Sequence, residues 1–289
     1  MATTTQSVFD LASLSKIFTT LLIMRASNLS PQDSLHKFFK DAPMDLRVED
    51  LMRHRAGLPA GLAASTIPKD NSALVSKIIS LLKPQESTFL YSDLDFILLA
   101  SILAQTQSEN LVSQYGKLFE QLKLNSTFHF TNYNKKKTAH FVGSEALKNK
   151  EKVEPQDPTA KLIPNLAGHA GVFSSLNNLC SMLKQVFGDR TVLNEALLAQ
   201  MVEIDTNGRA LGWDHSSSFA DNLRVDLVAP KDHLGHTGYT GTSISIHLAK
   251  RYFVVLLTNR TFGDFDENQS GLAIQELRKS VHTLVHSQL

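Results

Sequence analysis

Apolar residues recur with helical spacing over the first two-thirds of the chain and again at its end. One such run extends from about Ser13 to Ala26, and a second, more strongly apolar run extends from Ser92 to Gln105. Because side chains at this spacing share one face of a helix, both runs predict buried helices. Further helices are predicted at residues 36–39, 48–52, 71–82, 111–122, 176–187, 194–202 and 268–287.

The pattern changes to strand-like runs between these last two helices. Gly241–His247 and Arg251–Asn259 are rich in β-branched and aromatic residues, and Leu248-Ala249-Lys250 separates them. This arrangement predicts a β-hairpin. Tyr252–Thr258 is almost continuously apolar, which is typical of a central strand. Another strand is predicted to begin at Leu211-Gly212-Trp213.

The order of these elements predicts an α+β fold, with a small antiparallel sheet flanked by the first and last helices. We predict a single domain over residues 1–289. Within it, residues 1–30 and 205–289 would form a sheet lobe, and residues 31–204 a mainly helical lobe. Residues 131–165 carry lysines and prolines without a periodic pattern, so we expect them to cross the surface and line a cleft.

Composition excludes several classes of protein. The 289 residues are 42% hydrophobic and 20% charged, which is typical of a globular domain with a sizeable core. A formal net charge of +1 gives no electrostatic reason to bind nucleic acid or a membrane surface. The longest apolar runs, Ile17–Met24 and Phe96–Ala104, are far shorter than the roughly 20 residues of a membrane span.

The sequence Ser13-Leu14-Ser15-Lys16 opens the first predicted helix. Residues three apart share one helix face, so we expect the Lys16 amine to reach the Ser13 hydroxyl. A serine hydroxyl becomes a good nucleophile when a neighbouring group removes its proton. Lys16 is a candidate base, provided that burial and neighbouring cations lower its pKa.

Two later segments supply candidate partners for Ser13. Tyr91-Ser92-Asp93 offers a phenol that can relay a proton if positive charge stabilises its phenolate. His236-Thr237-Gly238 offers an imidazole that either completes this electrostatic set or protonates the leaving group. The Tyr239 N–H is expected to pair with the Ser13 N–H as an oxyanion hole. The catalytic candidates are therefore Ser13, Lys16, Tyr91 and His236.

No cofactor or metal is predicted. His233 and His236 lie three residues apart, but no nearby pair of cysteines or histidines completes a ligand set. The single cysteine, Cys180, excludes an internal disulfide and lies in an apolar helical run. We expect it to be a buried structural thiol.

Five segments of the chain together resemble a known enzyme family. They are Phe9–Lys16, Leu51–Pro59, Tyr91–Leu94, Ala167–Ser174 and Gly235–Thr242. In combination they resemble the serine β-lactamase and penicillin-binding-protein superfamily, on the branch of class C β-lactamases and esterases. The resemblance extends over about residues 7–260.

This resemblance implies a β-lactamase-like fold and a role for each motif. Ser13 would be the nucleophile, Lys16 the general base and Tyr91 the proton relay. The strand that carries His236, Thr237 and Gly238 would bind the acyl portion of the substrate. We therefore predict Asp93, Thr237 and Gly238 as substrate-binding residues.

Three departures from the family pattern matter. The superfamily commonly has asparagine where this chain has Asp93, and lysine where it has His236. That lysine helps to bind a substrate carboxylate, so its replacement argues against β-lactamase activity. Asp93 adds negative charge and is expected to disfavour anionic β-lactams. Relatives also carry two sheet strands before the serine helix, whereas twelve residues precede Ser13 here.

Without those strands, the sheet is expected to expose an apolar edge at Tyr252–Thr258. An unpaired edge invites pairing with another chain, so we predict a homo-oligomer through this edge. Alternatively, the N-terminal residues or a different partner protein would pair with this strand edge.

The function indicated is that of a serine hydrolase that forms an acyl-enzyme with an ester or amide. Small esters, D-amino-acid peptides and cell-wall peptides are the candidate substrates. A penicillin-binding DD-peptidase is one alternative, and a catalytically degenerate binding or assembly protein is another. As given, the chain is expected to be bacterial and cytoplasmic, or periplasmic if a signal lies upstream.

Overall fold

The computed structural model describes residues 2–83, 89–133, 141–142, 153–206, 208–215, 233–262 and 266–288. Residues 134–140 and 143–152 of the predicted surface excursion lie outside the described residues, as do residues 216–232.

The helices lie close to where the hydrophobic pattern predicts them. They are α1 (Ser15–Arg25), α2 (Val48–Met52), α3 (Asn71–Ile79), α4 (Asp93–Gln107), α5 (Leu111–Gln121), α6 (Pro158–Leu162), α7 (Leu176–Leu183), α8 (Glu195–Val202) and α9 (Glu267–Gln288). The helix predicted at 36–39 is a single 3-10 turn, Leu35–Lys37. No helix of the described chain is long and apolar enough to cross a bilayer.

Helix α6 was not predicted. Asp157 caps it by accepting a hydrogen bond from the Ala160 N–H, and Pro158 occupies its first turn. Proline is well suited to that position because its missing N–H would have no partner there anyway. The five-residue helix is too short for its apolar spacing to be seen in the sequence.

The strands form two antiparallel sheets. They are β1 (Val8–Asp10), β2 (Phe128–His129), β3 (Val172–Ser175), β4 (Arg209–Ala210), β5 (Trp213–His215), β6 (His233–Thr237), β7 (Ser243–His247) and β8 (Tyr252–Leu256). One sheet has the order β1-β3-β2 and the other has the order β4-β5-β6-β7-β8. The predicted hairpin is present as β7 and β8, with Ile244 opposite Val255.

The prediction of a central strand at Tyr252–Thr258 was wrong. Strand β8 pairs with β7 and with no other strand of the described chain, so it lies at the edge of the larger sheet. Its continuous apolar character has a different cause, because Phe253 and Val255 pack against the core while Val254 is buried on the other face.

One apolar core extends from α1 through the helices to the larger sheet. Helix α4 lies at its centre, with ten consecutive buried residues from Leu94 to Leu103. Across the sheet, Ile244 and Ile246 of β7 belong to this core, whereas Ser243 meets His282 of α9 on the opposite face. The sheet is therefore covered by α9 on one face and by the core on the other, and the division into two lobes stays a prediction.

Candidate active site

Ser13 lies in a short turn directly before helix α1. The 3-10 turn Ala12–Leu14 leads into the helix, which begins at Ser15. Ala12 has a φ of 46°, a left-handed conformation that is uncommon for a residue with a Cβ atom. The Asp10 carboxylate accepts a hydrogen bond of 2.9 Å from the Ala12 N–H and so holds the turn. Ser13 is thereby placed at the N-terminal end of α1, where unpaired N–H groups favour negative charge.

Lys16 is completely buried one turn further along α1. Its Nζ donates hydrogen bonds to Ser13 Oγ at 3.1 Å, to Asp93 Oδ1 at 2.7 Å and to the His169 carbonyl at 3.3 Å. Three acceptors match the three N–H donors of an ammonium group. The sequence-predicted contact between Lys16 and Ser13 is present, and the geometry identifies Lys16 as charged.

The pKa of Lys16 differs from the expectation that burial and nearby cations would lower it. Burial does act in that direction, but the charge of Asp93 and the phenol of Tyr91 outweigh it and raise the pKa of Lys16 above its ordinary value. The expectation missed this because it assigned Asp93 to the substrate rather than to the lysine. In the resting protein Lys16 is therefore a proton donor and a positive charge.

Tyr91 and Asp93 both lie close to the Lys16 ammonium. The Tyr91 ring centroid is 4.8 Å from Lys16 Nζ, close enough for a cation–π interaction. Asp93 begins α4, whose N-terminus is capped by Ser92 through the Leu94 N–H. The structure therefore brings the Ser-x-x-Lys and Tyr-Ser-Asp segments together, although 77 residues separate Lys16 from Asp93.

His236 is buried, as Lys16 is. It lies in β6, and its Nδ1–H donates to the Thr237 carbonyl at 2.8 Å. Burial lowers the pKa of His236 to about 3, and the charges of Lys16 and Arg209 act in the same direction. The imidazole is therefore neutral at pH 7. It cannot complete a positive electrostatic set or act as a proton donor of ordinary strength, in contrast to both predicted roles.

The turn between β6 and β7 is fixed against the residues that precede Ser13. The Thr240 hydroxyl donates to the Asp10 carbonyl at 2.8 Å, and the Thr242 hydroxyl donates to the Leu11 carbonyl at 3.2 Å. At Gly238, a Cβ atom would overlap the Thr242 hydroxyl and crowd the Leu11 carbonyl. Glycine is required there because two chain segments approach each other closely.

Ser13 lines two cavities. The larger, of about 400 Å³, is lined by Ser13, Phe89, Tyr91, Arg209, Asp214, Thr237, Gly238, Tyr239, Arg260, Gly271, Ile274, Gln275 and Arg278. The smaller, of about 340 Å³, is lined by Ala12, Ser13, Tyr91, Asp93, Gln156, Asp157, Pro158, Ala170 and Tyr239. Ser13, Tyr91 and Tyr239 border both. The oxyanion hole formed by the Ser13 and Tyr239 N–H groups stays a prediction. It is favoured by the fact that both residues line both cavities.

His54 and Asp95, to which no role was assigned from the sequence, form a buried pair next to Tyr91. The His54 ring lies 4.5 Å from the Tyr91 ring, and its Nδ1 is 2.7 Å from Asp95 Oδ2 and 3.3 Å from the Ser92 N–H. Burial lowers the pKa of His54 and raises that of Asp95, so both groups are uncharged. A protonated Asp95 that donates to Nδ1 fits both contacts, and the pair supports the Tyr91 ring from behind.

Arg209 was also missed. It is buried in β4, lines the larger cavity and forms a salt bridge with Asp214. Burial lowers the pKa of Arg209 to about 10, and the Tyr91 phenol acts in the opposite direction. A guanidinium is protonated at any pH near neutrality. Arg209 therefore supplies the positive charge that was expected from His236. The sequence around Arg209 contains no motif that would have identified it.

One group of side chains in the described chain has the spacing to hold a metal ion. Ligand atoms of Asp93, Asp157 and His169 lie within 4.8 Å of one another. These atoms already have partners, because Asp93 binds Lys16 and Asp157 Oδ1 lies 3.1 Å from His169 Nε2. The Lys16 ammonium thus occupies the position where a cation would be attracted.

The sequence matches the beta-lactamase family over residues 1–279. Among proteins of known name, the N-acetylmuramyl-L-alanine amidase of Bacillus subtilis (strain 168) is 26% identical over 302 aligned positions, covering 89% of this chain and 68% of that protein. Among solved structures, the beta-lactamase/D-alanine carboxypeptidase from Pseudomonas syringae has a TM-score of 0.69 at 20% identity, covering 96% of this chain and 86% of that one.

A second solved structure with this fold is the octameric penicillin-binding protein homologue from Pyrococcus abyssi. Its TM-score is 0.68 at 18% identity, covering 95% of this chain and 66% of that one. At these identities the two structures establish a β-lactamase-like fold, as the sequence motifs implied. Because the family match extends over nearly the whole chain, the protein belongs to the beta-lactamase family, within the serine β-lactamase and penicillin-binding-protein superfamily.

Proposed function

We propose that the protein is a serine hydrolase that forms a covalent acyl-enzyme on Ser13 with an ester or amide substrate. The observation that carries this proposal is the 3.1 Å hydrogen bond between Lys16 Nζ and Ser13 Oγ, at a serine that borders two cavities. A degenerate binding protein would have no need to keep a buried lysine bonded to a serine at the mouth of a cleft.

The proton path follows from the charge of Lys16. An ammonium with three acceptors cannot take the Ser13 proton, so we assign that step to Tyr91, whose phenolate would be stabilised by Lys16 and Arg209. As Ser13 Oγ bonds to the substrate carbonyl carbon, its proton passes to Tyr91. When the bond to the leaving group breaks, Tyr91 returns the proton to that group. Water then repeats the sequence and releases the acid.

The charge that develops on the carbonyl oxygen needs stabilisation at the same place. Ser13 lies at the N-terminal end of α1, an 11-residue helix whose dipole favours negative charge there. The N–H groups of Ser13 and Tyr239 are our proposed donors. A single donor of this kind commonly contributes about 3 to 4 kcal/mol to transition-state stabilisation.

A DD-peptidase that is acylated slowly by penicillin is the second candidate. The Pseudomonas syringae structure with this fold is described as a beta-lactamase/D-alanine carboxypeptidase, which favours cell-wall peptides among the amide substrates. This candidate differs from a general esterase in forming a long-lived adduct with penicillin.

Assembly belongs to the same proposal. We infer that β8, the last strand of the larger sheet among the described residues, pairs with a second copy of the chain. The octameric state named for the Pyrococcus abyssi homologue supports self-association within this fold.

Intact-mass spectrometry after exposure to a fluorophosphonate tests the proposed chemistry, with Ser13→Ala as the control. We expect a stoichiometric adduct on the natural sequence and none on the variant. Penicillin in place of the fluorophosphonate then separates the two candidates, because a stable penicilloyl adduct is expected for the DD-peptidase. Folded protein without a fluorophosphonate adduct would overturn the proposal of a hydrolase.

A further inference from the structure

The segment Leu51–Pro59, which resembles the family, has no part in the reaction described so far. Its later residues nevertheless bind the chain on both sides of Tyr91. The Leu90 N–H donates to the His54 carbonyl at 3.0 Å, and the Ser92 hydroxyl donates to the carbonyl of the last residue of the segment at 2.6 Å. These two bonds fix the backbone immediately before and after Tyr91.

The side chain of His54 reaches the same stretch of backbone. His54 is buried, and its Nδ1 accepts a hydrogen bond of 3.3 Å from the Ser92 N–H. Asp95 Oδ2 lies 2.7 Å from the same nitrogen. The Ser92 N–H belongs to the peptide bond that follows Tyr91, so this contact determines where the phenol is attached.

The imidazole also limits where the Tyr91 ring can lie. The ring centroids of His54 and Tyr91 are 4.5 Å apart, within the range of packed aromatic pairs. Lys16 Nζ lies 4.8 Å from the same Tyr91 centroid. The phenol is therefore in contact both with His54 and with the charge that would stabilise its phenolate.

The backbone at His54 is left-handed, with a φ of 56°. Histidine and asparagine adopt this conformation more readily than most residues with a Cβ atom. Burial lowers the pKa of His54, and the charges of Arg209 and Lys16 act in the same direction. The support is therefore uncharged, and it leaves the electrostatics at Tyr91 to Lys16 and Arg209.

We infer that His54 is a positioning residue, whose Nδ1 holds the Ser92 N–H and so keeps the Tyr91 phenol against the Lys16 ammonium. This inference rests on the proposed function of Tyr91. Protonated Asp95 donates to the same Nδ1 and fixes the imidazole in the orientation that accepts from Ser92. His54 lines neither cavity beside Ser13, so it acts through Tyr91 and does not touch the substrate.

Two substitutions of His54 test the hydrogen bond. His54→Asn supplies an amide oxygen as acceptor and tolerates the left-handed backbone, whereas His54→Phe keeps a ring and removes the acceptor. We expect His54→Phe to slow fluorophosphonate labelling of Ser13 by about tenfold to 100-fold, since a misplacement of about 1 Å has an effect of this size. His54→Asn should recover most of the loss. Equal labelling rates for the two variants would overturn the inference.

Substitutions of Asp95 make the same comparison with His54 in place, including the case in which His54→Phe does not fold. Asp95→Asn retains an N–H donor for Nδ1, and Asp95→Leu does not. We expect a nearly natural labelling rate in Asp95→Asn and a loss in Asp95→Leu. Equal rates for these two variants would contradict the part assigned to Asp95.

His129→Ala is the matched control for a general loss of stability. His129 is also buried and packs its ring at 4.6 Å from that of Phe130, but it lines neither cavity beside Ser13. We expect this variant to be less stable and yet to label Ser13 at nearly the natural rate. A loss of labelling rate as large as that of His54→Phe would contradict a specific role for His54.

Hydrogen exchange of the Ser92 amide keeps this inference separate from the proposed function. Measured by NMR in the Ser13→Ala background, it reports the contact with His54 without any reaction. We expect faster exchange in Ser13→Ala/His54→Phe and retained protection in Ser13→Ala/His54→Asn. Protection that survives His54→Phe refutes the positioning contact even if Ser13 is reactive. Protection lost only in His54→Phe supports the contact even if the natural protein forms no adduct.

Discussion

Asp93 sets the protonation state of Lys16. The salt bridge of 2.7 Å joins a lysine with no exposed side-chain surface to a carboxylate whose side chain is 33% exposed. Because the pKa of Lys16 is raised, the pair stabilises the fold fully below the ordinary lysine pKa of 10.5, and this contribution is lost only as the pH rises through the raised value. Asp93 therefore keeps Lys16 positively charged at neutral pH.

Asp93→Asn is predicted to lower the free energy of unfolding at pH 7 by about 2 kcal/mol, less than for a fully buried pair because the carboxylate is partly exposed. Burial then dominates at Lys16, so its pKa falls and the alkaline limb of the pH–rate profile moves to lower pH. Urea denaturation and kcat/KM against pH measure the two effects.

Asp33→Asn is the control for this prediction. It removes a salt bridge of 3.0 Å to the exposed Lys37, and we expect a loss of less than about 1 kcal/mol. An unchanged alkaline limb in Asp93→Asn would show that Lys16 does not depend on this carboxylate.

The site residues that sequence could predict are those joined by local spacing. Ser13 and Lys16 lie three apart on one turn, and Tyr91 directly precedes an apolar helix. The neutral state of His236 could not be predicted, because it depends on burial within a sheet. Arg209 has no motif, since its place beside the site results from strand pairing.

At the scale of elements, the link between β4 and β5 fixes the sheet against helix α1. Gly212 lies there with a φ of 69°, and a Cβ atom at this position would overlap the Thr20 hydroxyl of α1. The same helix carries Lys16 one turn earlier. The close contact between the larger sheet and helix α1 at Gly212 is therefore needed to position Lys16 as well as to pack the core.

Gly212→Ala is predicted to lower the free energy of unfolding by about 3 kcal/mol, since it combines backbone strain with overpacking. It is also expected to slow fluorophosphonate labelling of Ser13 through displacement of α1. Gly116→Ala is the matched control, because Gly116 lies within α5 and a Cβ atom added there would meet no other atom within 4 Å, so we expect a gain of up to about 1 kcal/mol. Similar stabilities of the two variants would contradict the close contact.

Elements differ in how well the sequence predicts them. Helices α4 and α5 are long enough for their apolar spacing to be recognised. Strands β1 and β2 have three and two residues, too few to show an alternating pattern, so the sheet beside the Ser13 turn was not predicted. The position of β8 at an edge depends on strand order, which hydropathy alone does not determine.

At the scale of the molecule, β8 at the edge of the described sheet is our proposed contact between two copies. Leu256→Lys at the end of this strand is predicted to convert an oligomer to a monomer, because charged side chains on an edge strand oppose edge-to-edge pairing. Light scattering after size-exclusion chromatography measures the mass.

Leu284→Lys introduces the same charge on α9, where the leucine is 64% exposed, and should leave the oligomer intact. A natural sequence that is monomeric at high concentration, with rapidly exchanging β8 amides, would contradict this assembly.

The two cavities that meet at Ser13 have a consequence for the order of events in turnover. In the proposed reaction, the leaving group would depart from one cavity while the acyl group stays bonded to Ser13 in the other. The vacated chamber then admits the second reactant without disturbing the acyl group. Water is one such reactant, and a small alcohol or amine that fits the chamber is another. The acyl-enzyme should therefore partition between hydrolysis and transfer, and the chemistry of the emptied chamber determines which acceptors compete with water.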